Sequence, residues 1–509
     1  MRKLLGFLPA FALALLGSSQ VANAAEVTRV ASSFDQDFNG NRFDLHIGAT
    51  YDFDFKRGAI LREWGAGGSN NLAKDLIYRQ FRHTVTPMIE IGLWHDLSVY
   101  VAMPVVVSDN RNYEFDQEEG SSCQFPTANS DSGTATCVNK TNSTSIRDGI
   151  IPRNGFDAFE DTNPYGQFTE DETEMIFRSP TRRGLDQIHV GLKIGILSQA
   201  RSASKNSVDN VLARGHLPNW VLGLEGRFAI GRPMTFTRAI QTQDPSGNHA
   251  VGRGMHELGA WTALSRRYRF LEPFFGAHWR MALRASGSQF ENYGGTQGTS
   301  NPQSNTGAYI GAEIIPWENE ARGQKFSINL SGSAQLNYNG RAYSEVWELL
   351  ADSPALAGDY SPGNDGQDGD GNYLSGCSAN AALGHAAQNP LNPENNGGYL
   401  NAGGPDCEVF NGIMTIDDYG TFGLNAALNF HLSAIARLNF GVDMSTDTRH
   451  FVTAASRGDG TQSGDPELVE RNSPDVNPIR RDVIDNVGRR YAVDDMFNIN
   501  AYFNFIVTF

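Results

Sequence analysis

Hydrophobic and polar residues alternate along much of this chain. In Phe43–Phe55, Phe43, Leu45, Ile47, Ala49, Tyr51, Phe53 and Phe55 share one face, while Asp44, His46, Gly48, Thr50, Asp52 and Asp54 share the other. Side chains in a strand point to opposite faces with period two, so such a segment is a strand with one apolar and one polar face. Thr84–Trp94 and Leu97–Val107 continue the pattern around a tight turn at His95-Asp96. It recurs over Gln187–Ser198, Trp220–Gly231, Met255–Ser265, Phe270–Arg284, Gly307–Ile315, Lys325–Asn339, Gly420–His431 and Ala434–Ser445. The last run, Phe497–Phe509, ends on a bare phenylalanine. Pro87 and Pro104 lie inside two of these runs; proline cannot donate to a ladder, so irregular pairing is expected there.

The connections sort by length. With the first strand running outward, 56–83, 109–186, 232–254, 285–306, 340–419 and 446–496 fall on one side, and 95–96, 199–219, 266–269, 316–324 and 432–433 on the other. Long loops at one end, mostly short turns at the other and an even strand number are the pattern of an outer-membrane barrel. A soluble β-sandwich has the same strands but no reason to sort its loops. The expected fold is therefore all-β: one transmembrane antiparallel up-and-down barrel of about 12 strands over 43–509, with long extracellular loops at 109–186 and 340–419.

The N-terminal region agrees with export. Arg2 and Lys3 precede a short apolar core, Leu4–Leu16, and Ala22-Asn23-Ala24 is a small-x-small cleavage pattern, so 1–24 reads as a secretory signal peptide. Residues 25–42 follow as a periplasmic segment. No later run reaches the roughly 18–20 apolar residues of a spanning helix. A closed barrel is then the remaining way to satisfy the backbone in lipid.

Phe503, Phe505, Val507 and Phe509 stand where the recognition signal of Gram-negative outer-membrane proteins has apolar or aromatic residues, and the stretch resembles that signal. The resemblance implies the barrel-assembly machinery as a partner and the outer membrane as destination. Two further stretches, I-E-I-G-L-W-H-D-L-S-V-Y-V-A-M-P-V-V-V (89–107) and R-G-L-D-Q-I-H-V-G-L-K-I-G-I-L (183–197), resemble blocks found in outer-membrane transporters grouped with the phenol meta-cleavage pathway. They cover about a fifth of the chain, and Gly184-Leu185-Asp186 lacks one glycine of the second block. This implies uptake of small, including aromatic, compounds.

Composition narrows the chemistry. A net charge of −16 leaves no basic stripe for nucleic acid. Hydrophobic residues make up only 40%, which suits a barrel whose lumen and loops are polar. The four cysteines form two local pairs in outside loops, Cys123 with Cys137 and Cys377 with Cys407, and export makes disulfides the expected state. Neither pair has metal or redox spacing.

If the apolar face meets lipid, parity turns a charged set inward. Its carboxylates are Asp44, Asp52, Asp54, Glu90, Glu225, Glu257, Glu272, Glu313 and Asp443, and its cations Lys193, Arg227, Arg280, Arg284 and Arg437. His46, His189, His278 and His431 also point in, without the pairing a metal site needs. Two readings stay open: a polar pore with a cation bias, or an ion-pair network filling a narrow lumen. Inward aromatics are few: Trp94, Tyr100, Trp261, Phe274, Tyr309 and Tyr502. In the loop at 359–373, Asp368, Asp370 and Asn372 resemble the start of a calcium loop, but Tyr373 and Ala379 replace the decisive glycine and glutamate, so an acidic turn without cofactor is expected and calcium is the alternative. Glu345–Ala351 is a candidate short helix across the mouth. No serine–histidine or aspartate–histidine set stands out, so no enzyme is expected. The function expected is diffusion or transport of small solutes; the alternative is a surface-interaction barrel acting through its loops.

Overall fold

In a computed structural model the strands form one closed antiparallel barrel of 12 staves. The structure describes residues 28–31, 45–66, 69–94, 96–115, 143–147, 150–151, 175–178, 180–197, 218–236, 248–290, 301–319, 322–338, 340–351, 353, 356, 410–433, 435–456, 458, 460, 468–469 and 480–509. The proposed signal peptide, all four cysteines, Asp44 and the 359–373 loop lie outside them.

Several staves are built from more than one strand. They are β1 (Leu45–Ala66); β2 (Ser69–Trp94); β3 (Leu97–Ala102) with β4 (Val105–Glu114); and β5 (Met175–Arg178), β6 (Arg182–Leu185) and β7 (Gln187–Leu197) together. Then come β8 (Asn219–Ala229), β9 (Met255–Ser265), β10 (Leu271–Arg284) and β11 (Asn305–Asn319). β12 (Gln324–Asn337) continues into β13 (Gly340–Ala342), β14 (Met414–Ile416) into β15 (Tyr419–His431), and β16 (Ala436–Asp447) into β17 (His450–Thr453). β18 (Tyr491–Thr508) closes the ring on β1, with Ile47 opposite Val507 and Phe53 opposite Ala501. Leu45 and Phe509 exchange backbone hydrogen bonds of 3.2 and 2.9 Å at the seam. Closure removes both sheet edges, which an open sheet would leave unpaired.

The predicted outward residues form an apolar belt. Ile47, Ile89, Val101, Ile194, Leu224, Phe275, Trp279, Ile310, Leu330, Phe422, Phe440, Met444 and Phe505 are all exposed, on every side of the barrel. So large an apolar surface around a closed barrel has the composition of a lipid-facing girdle.

Several connections read as loops contain strand: 109–186 holds the end of β4 with β5 and β6, and 340–419 holds β13 and β14. Residues 56–66 and 69–83 extend β1 and β2 as a hairpin well beyond the belt, and β18 begins at Tyr491 rather than Phe497. Alternation fails there for a physical reason. Ala59, Ile60, Leu61 and Arg62 are consecutive and all buried, because both faces of the hairpin are covered: Ile60 by loop residues, Ala59 and Leu61 by Ala492, Leu72 and Phe451. A strand buried on both sides has no period-two signal to read.

The prolines share one irregularity. Pro104 sits in the gap between β3 and β4. Pro87 lies mid-strand in β2, opposite Ala49, and faces that same gap, where its missing N–H has no ladder partner to serve. Its carbonyl accepts the Met103 N–H at 3.1 Å.

Above the belt, the long-loop end carries a core of its own. Ile60, Leu76, Tyr78, Tyr113 and Val452 from the strands meet Ile150, Met234, Phe236, Phe290, Val346, Trp347, Leu350, Phe410, Ile413 and Ile484 from the loops. Three single-turn helices belong to this annex: α1 (Thr144–Arg147), α2 (Trp347–Leu350) and α3 (Asp482–Asp485).

Candidate functional site

The lumen has two unlike walls. On the wall from β2 to β11, inward charges are paired. Glu90 accepts from Lys193 Nζ at 2.9 Å and Ser98 Oγ at 2.6 Å, with His46 Nδ1 at 3.7 Å. Arg227 bonds Glu225 and reaches Glu257 at 3.4 Å; Glu225 also accepts from Tyr100. Arg253 joins the set from just before β9, donating to Asp186 at 2.6 Å, Gln187 at 2.7 Å and Glu257 at 3.4 Å. Arg280 stands 3.9 Å from Glu257, and Lys325 donates to Glu313 at 2.8 Å. A charge taken out of water must be paired and hydrogen-bonded, and nearly every member here is. His189 and Glu272 are buried in the same wall, Glu272 accepting from Ser265 at 2.7 Å. Arg284, at the loop end of β10, is exposed.

The wall from β12 round to β1 is different. Ser327, Asn329, Ser331, Ser333, Asn425, Asn429, Asn439 and Asn504 are buried on its inner face. Asn425 donates to Asp443 at 2.7 Å and to the Tyr502 hydroxyl at 3.0 Å, and Asn500 donates to Asp54 at 2.6 Å. Arg437 is tied to Thr508 at 2.9 Å near the short-turn end. There Asn429, His431, Arg437, Leu438, Asn439, Asn504 and Ile506 line a shallow, water-sized recess. The two open readings of the inward charges therefore divide by wall: a self-neutralised network on one side, a mostly Asn/Ser hydrogen-bonding surface with four carboxylates, Asp52, Asp54, Asp443 and Asp447, on the other.

The inward aromatics do not line a conduit. Tyr100 lies over Gly191, Trp261 over Gly223, Phe274 over Gly311, Tyr309 over Gly276 and Tyr502 over Gly441, each pair directly opposite across adjacent strands. A ring pressed on a cross-strand glycine covers backbone that would otherwise be bare.

The long-loop mouth is covered by a lid. Trp347, Glu348, Leu349 and Leu350 of α2 are all buried. Trp347 donates from Nε1 to the Asn411 carbonyl at 2.8 Å, Ser353 Oγ to the Ile150 carbonyl at 3.0 Å and Tyr343 to the Met234 carbonyl at 3.2 Å. The latch to the barrel is Arg182 of β6. Its Nε donates to Glu348 at 2.7 Å, both side chains being fully buried, and its guanidinium lies 4.8 Å from the Trp347 ring centre. The candidate helix at Glu345–Ala351 is thus present as one turn, seated in the mouth. Arg182 itself has no alternation signal, since β6 is only four residues long. At the other end the N-terminal segment reaches the lumen wall: Thr28 Oγ1 is 2.8 Å from Ser265 Oγ, and the Ala31 N–H donates to Glu90 at 3.3 Å.

One titrating group ties the annex to the lid. Asp485 of α3 accepts the backbone N–H of Ala454 at 2.6 Å and of Arg481 at 2.7 Å, and Arg481 Nε holds the Leu356 carbonyl at 2.7 Å. Burial pushes the Asp485 carboxyl up to about 7, against the pull of those N–H groups and the nearby arginines. A carboxyl raised in the folded state stabilises it most below the unfolded value of 3.8, and that contribution is lost as pH rises towards 7, by up to about 4 kcal/mol. Amide exchange at Ala454 and Arg481, corrected for intrinsic rates, is expected to be more protected at pH 5 than at pH 8. In Asp485→Asn the difference should vanish; equal protection at both pH values in the parent would refute the assignment.

No family model and no curated protein matches this chain. Among solved structures it is similar to the outer membrane protease OmpT from Escherichia coli, at 7% identity over 92% of this chain and 96% of that one, with a TM-score of 0.27. It is also similar to a deltaS2 mutant of the TodX monoaromatic hydrocarbon channel (8% identity, 96% and 94% covered, TM-score 0.27). A FadL homologue of Pseudomonas aeruginosa follows at 6% identity, 91% and 90% covered, TM-score 0.26. Overlaps this loose carry no functional weight.

Proposed function

We propose that the protein is an outer-membrane channel or transporter for small solutes, at rest closed by its own loops. One observation carries this reading. The inner face is polar on all sides of the barrel, and at the long-loop end residues of 343–351, 353, 356 and 410–413 pack with the barrel strands in one buried cluster. A barrel needing only rigidity would fill its lumen from both walls. Here the Asn/Ser wall offers donors and acceptors suited to a hydrated solute. The narrower reading, passage of small aromatic compounds, rests on the resemblance of 89–107 and 183–197. Lipid contact through the apolar belt, and assembly through Phe503, Phe505, Val507 and Phe509, complete the proposal.

The test is planar-bilayer conductance of the refolded chain and of a variant with 343–413 replaced by a short Gly/Ser linker. Ala342 and Met414 are opposite each other in β13 and β14, so the linker has little distance to span. The full chain should be silent and the variant should conduct. Silence of both, with the barrel still heat-modifiable on a gel, would sink the proposal.

The folded annex favours a second reading, in which the loops recognise a surface partner. Removing 343–413 would then abolish partner binding while opening no pore.

A further inference from the structure

The carboxylates Asp52, Asp54 and Asp443 are neighbours without a cation, whereas the other inward acids without one among the described residues, Glu272 and Asp447, each accept from a hydroxyl, of Ser265 and Thr421. Glu90, Glu225, Glu257 and Glu313 each have a cation within ion-pairing distance. Among the described residues, none of these three has one. They also share a place. Asn425, Asp443, Asn500 and Asp54 form one rung across β15, β16, β18 and β1, each opposite the next, and Asp52 lies one inward position along β1, opposite Tyr502.

A second observation comes from outside the acids. Thr86 of β2 is 3% exposed, faces inward opposite Thr50 on the next inward position of β1, and its hydroxyl has no hydrogen-bond partner among the described residues. The Oδ2 of Asp52, which is 5% exposed, and the Oδ1 of Asn498 likewise accept nothing. Buried oxygens without a donor are costly to leave so, and Asp52 Oδ2 and Thr86 Oγ1 lie on adjacent strands one inward position apart. What they lack is a donor, and three adjacent carboxylates call for a positively charged one. Lys56 and Arg82 share this inward face, Arg82 on the Asp54 rung, but neither is ion-paired to the three acids.

We infer that the rung of Asp443, Asn500 and Asp54, with Asp52 and Thr86 beside it, is a station for the positively charged group of a solute, an alkylammonium or similar multi-donor cation. An ammonium offers three donors and a compact charge, matching a group of neighbouring carboxylate oxygens. The Asn/Ser wall and the recess towards Asn439 and Asn504 extend from it along the same staves. The inference deepens the channel reading and rests on it for the solute's passage.

The experiment uses the 343–413 linker variant, with and without Asp52→Asn/Asp443→Asn, and spermidine as probe. Spermidine binding to the detergent-solubilised protein is measured by calorimetry, and cation-over-anion permeability in bilayers. The double substitution should weaken spermidine at least tenfold and lower the permeability ratio at least threefold. Spermidine affinity decides the station: if the substituted protein binds as its parent does, the station is refuted, whatever the conductance. Conductance decides the channel: a silent bilayer with spermidine affinity lost refutes the channel and keeps the station. Should the double variant not fold, Asp54→Asn serves instead, since Asp54 is partly exposed, with the same two readouts and a smaller expected change.

Discussion

Replacing Glu348 with alanine is expected to turn a silent barrel into a conducting one. Glu348 and Arg182 are both fully buried, and Arg182 also donates from Nη1 and Nη2 to the Ala250 and Thr235 carbonyls at the two ends of the β8–β9 connection, next to the barrel rim. These carbonyls therefore hold the arginine in place when its partner is removed. What remains is a buried guanidinium facing an empty space under Trp347. Breaking a buried pair from one side costs about 3–5 kcal/mol. The cost falls on the docked lid alone, because an undocked lid exposes Arg182 to water. At about 1.4 kcal/mol per tenfold, the ratio of open to docked lid rises by about three powers of ten. Bilayer recordings should show frequent openings in Glu348→Ala and almost none in the parent. The control is Arg182→Met with Glu348→Leu, in which two apolar side chains replace the pair; such swaps are often neutral or stabilising, so the lid should close again. A Glu348→Ala protein as silent as its parent would show that the latch does not hold the lid.

The parts of this molecule that face lipid were legible, and the parts that do not were not. Ile47, Val101, Leu224, Ile310, Leu330 and Phe440 alternate with polar residues because one side of each stave meets hydrocarbon and the other the lumen. That rule yields the strands, the closed barrel and most of the inward set. It stops where the belt stops. The hairpin around 56–83 is buried on both faces at Ile60 and Leu61, so its strands read as loop. The latch was out of reach for a related reason: Arg182 and Glu348 are 166 positions apart, and nothing local marks either as one half of a pair. Arg253 was missed because it precedes its strand. Lys325 was within reach, since parity puts it inward with Ser327 on β12, beside Glu313 of β11.

The division of the lumen was hidden for another reason. Parity assigns each charge a direction but not a neighbour. Glu257 and Asp443 look alike in sequence, yet Glu257 is shared among Arg227, Arg253 and Arg280, while Asp443 accepts from Asn425 and has no cation in ion-pairing distance among the described residues. Only the strand order separates them. β8, β9 and β10 are adjacent and bring arginines to glutamates; β15, β16 and β18 are adjacent and carry mostly asparagine.

Glycine tests the wall itself. Introducing a side chain at Gly223 is expected to destabilise the barrel, against the usual trend. Glycine in a strand loses more conformational freedom on folding than alanine, so glycine-to-alanine often stabilises by about 0.4–1 kcal/mol where the backbone allows. At Gly223 the new Cβ would stand 2.0 Å from the Trp261 ring, a distance no pair of atoms tolerates. The indole cannot slide outward, because backbone lies behind it. It has to swing off the wall into the lumen, leaving the strand uncovered and meeting the charges of the paired wall. Overpacking of this kind costs about 1–3 kcal/mol. Gly223→Ala should therefore unfold at lower denaturant, and Gly223→Ala with Trp261→Ala should recover part of the loss, since the clash is gone although the ring's cover is gone too. A single variant as stable as its parent would mean that the ring is not pressed on the glycine. The same swing gives a second readout. In the 343–413 linker background, Gly223→Ala should lower single-channel conductance, because a displaced indole narrows the path, and removing Trp261 as well should restore it. Stability and conductance then move together for one cause, the position of a ring, and the opposite pair Gly441 and Tyr502, with 2.2 Å between the added Cβ and the phenol ring, should behave alike on the other wall.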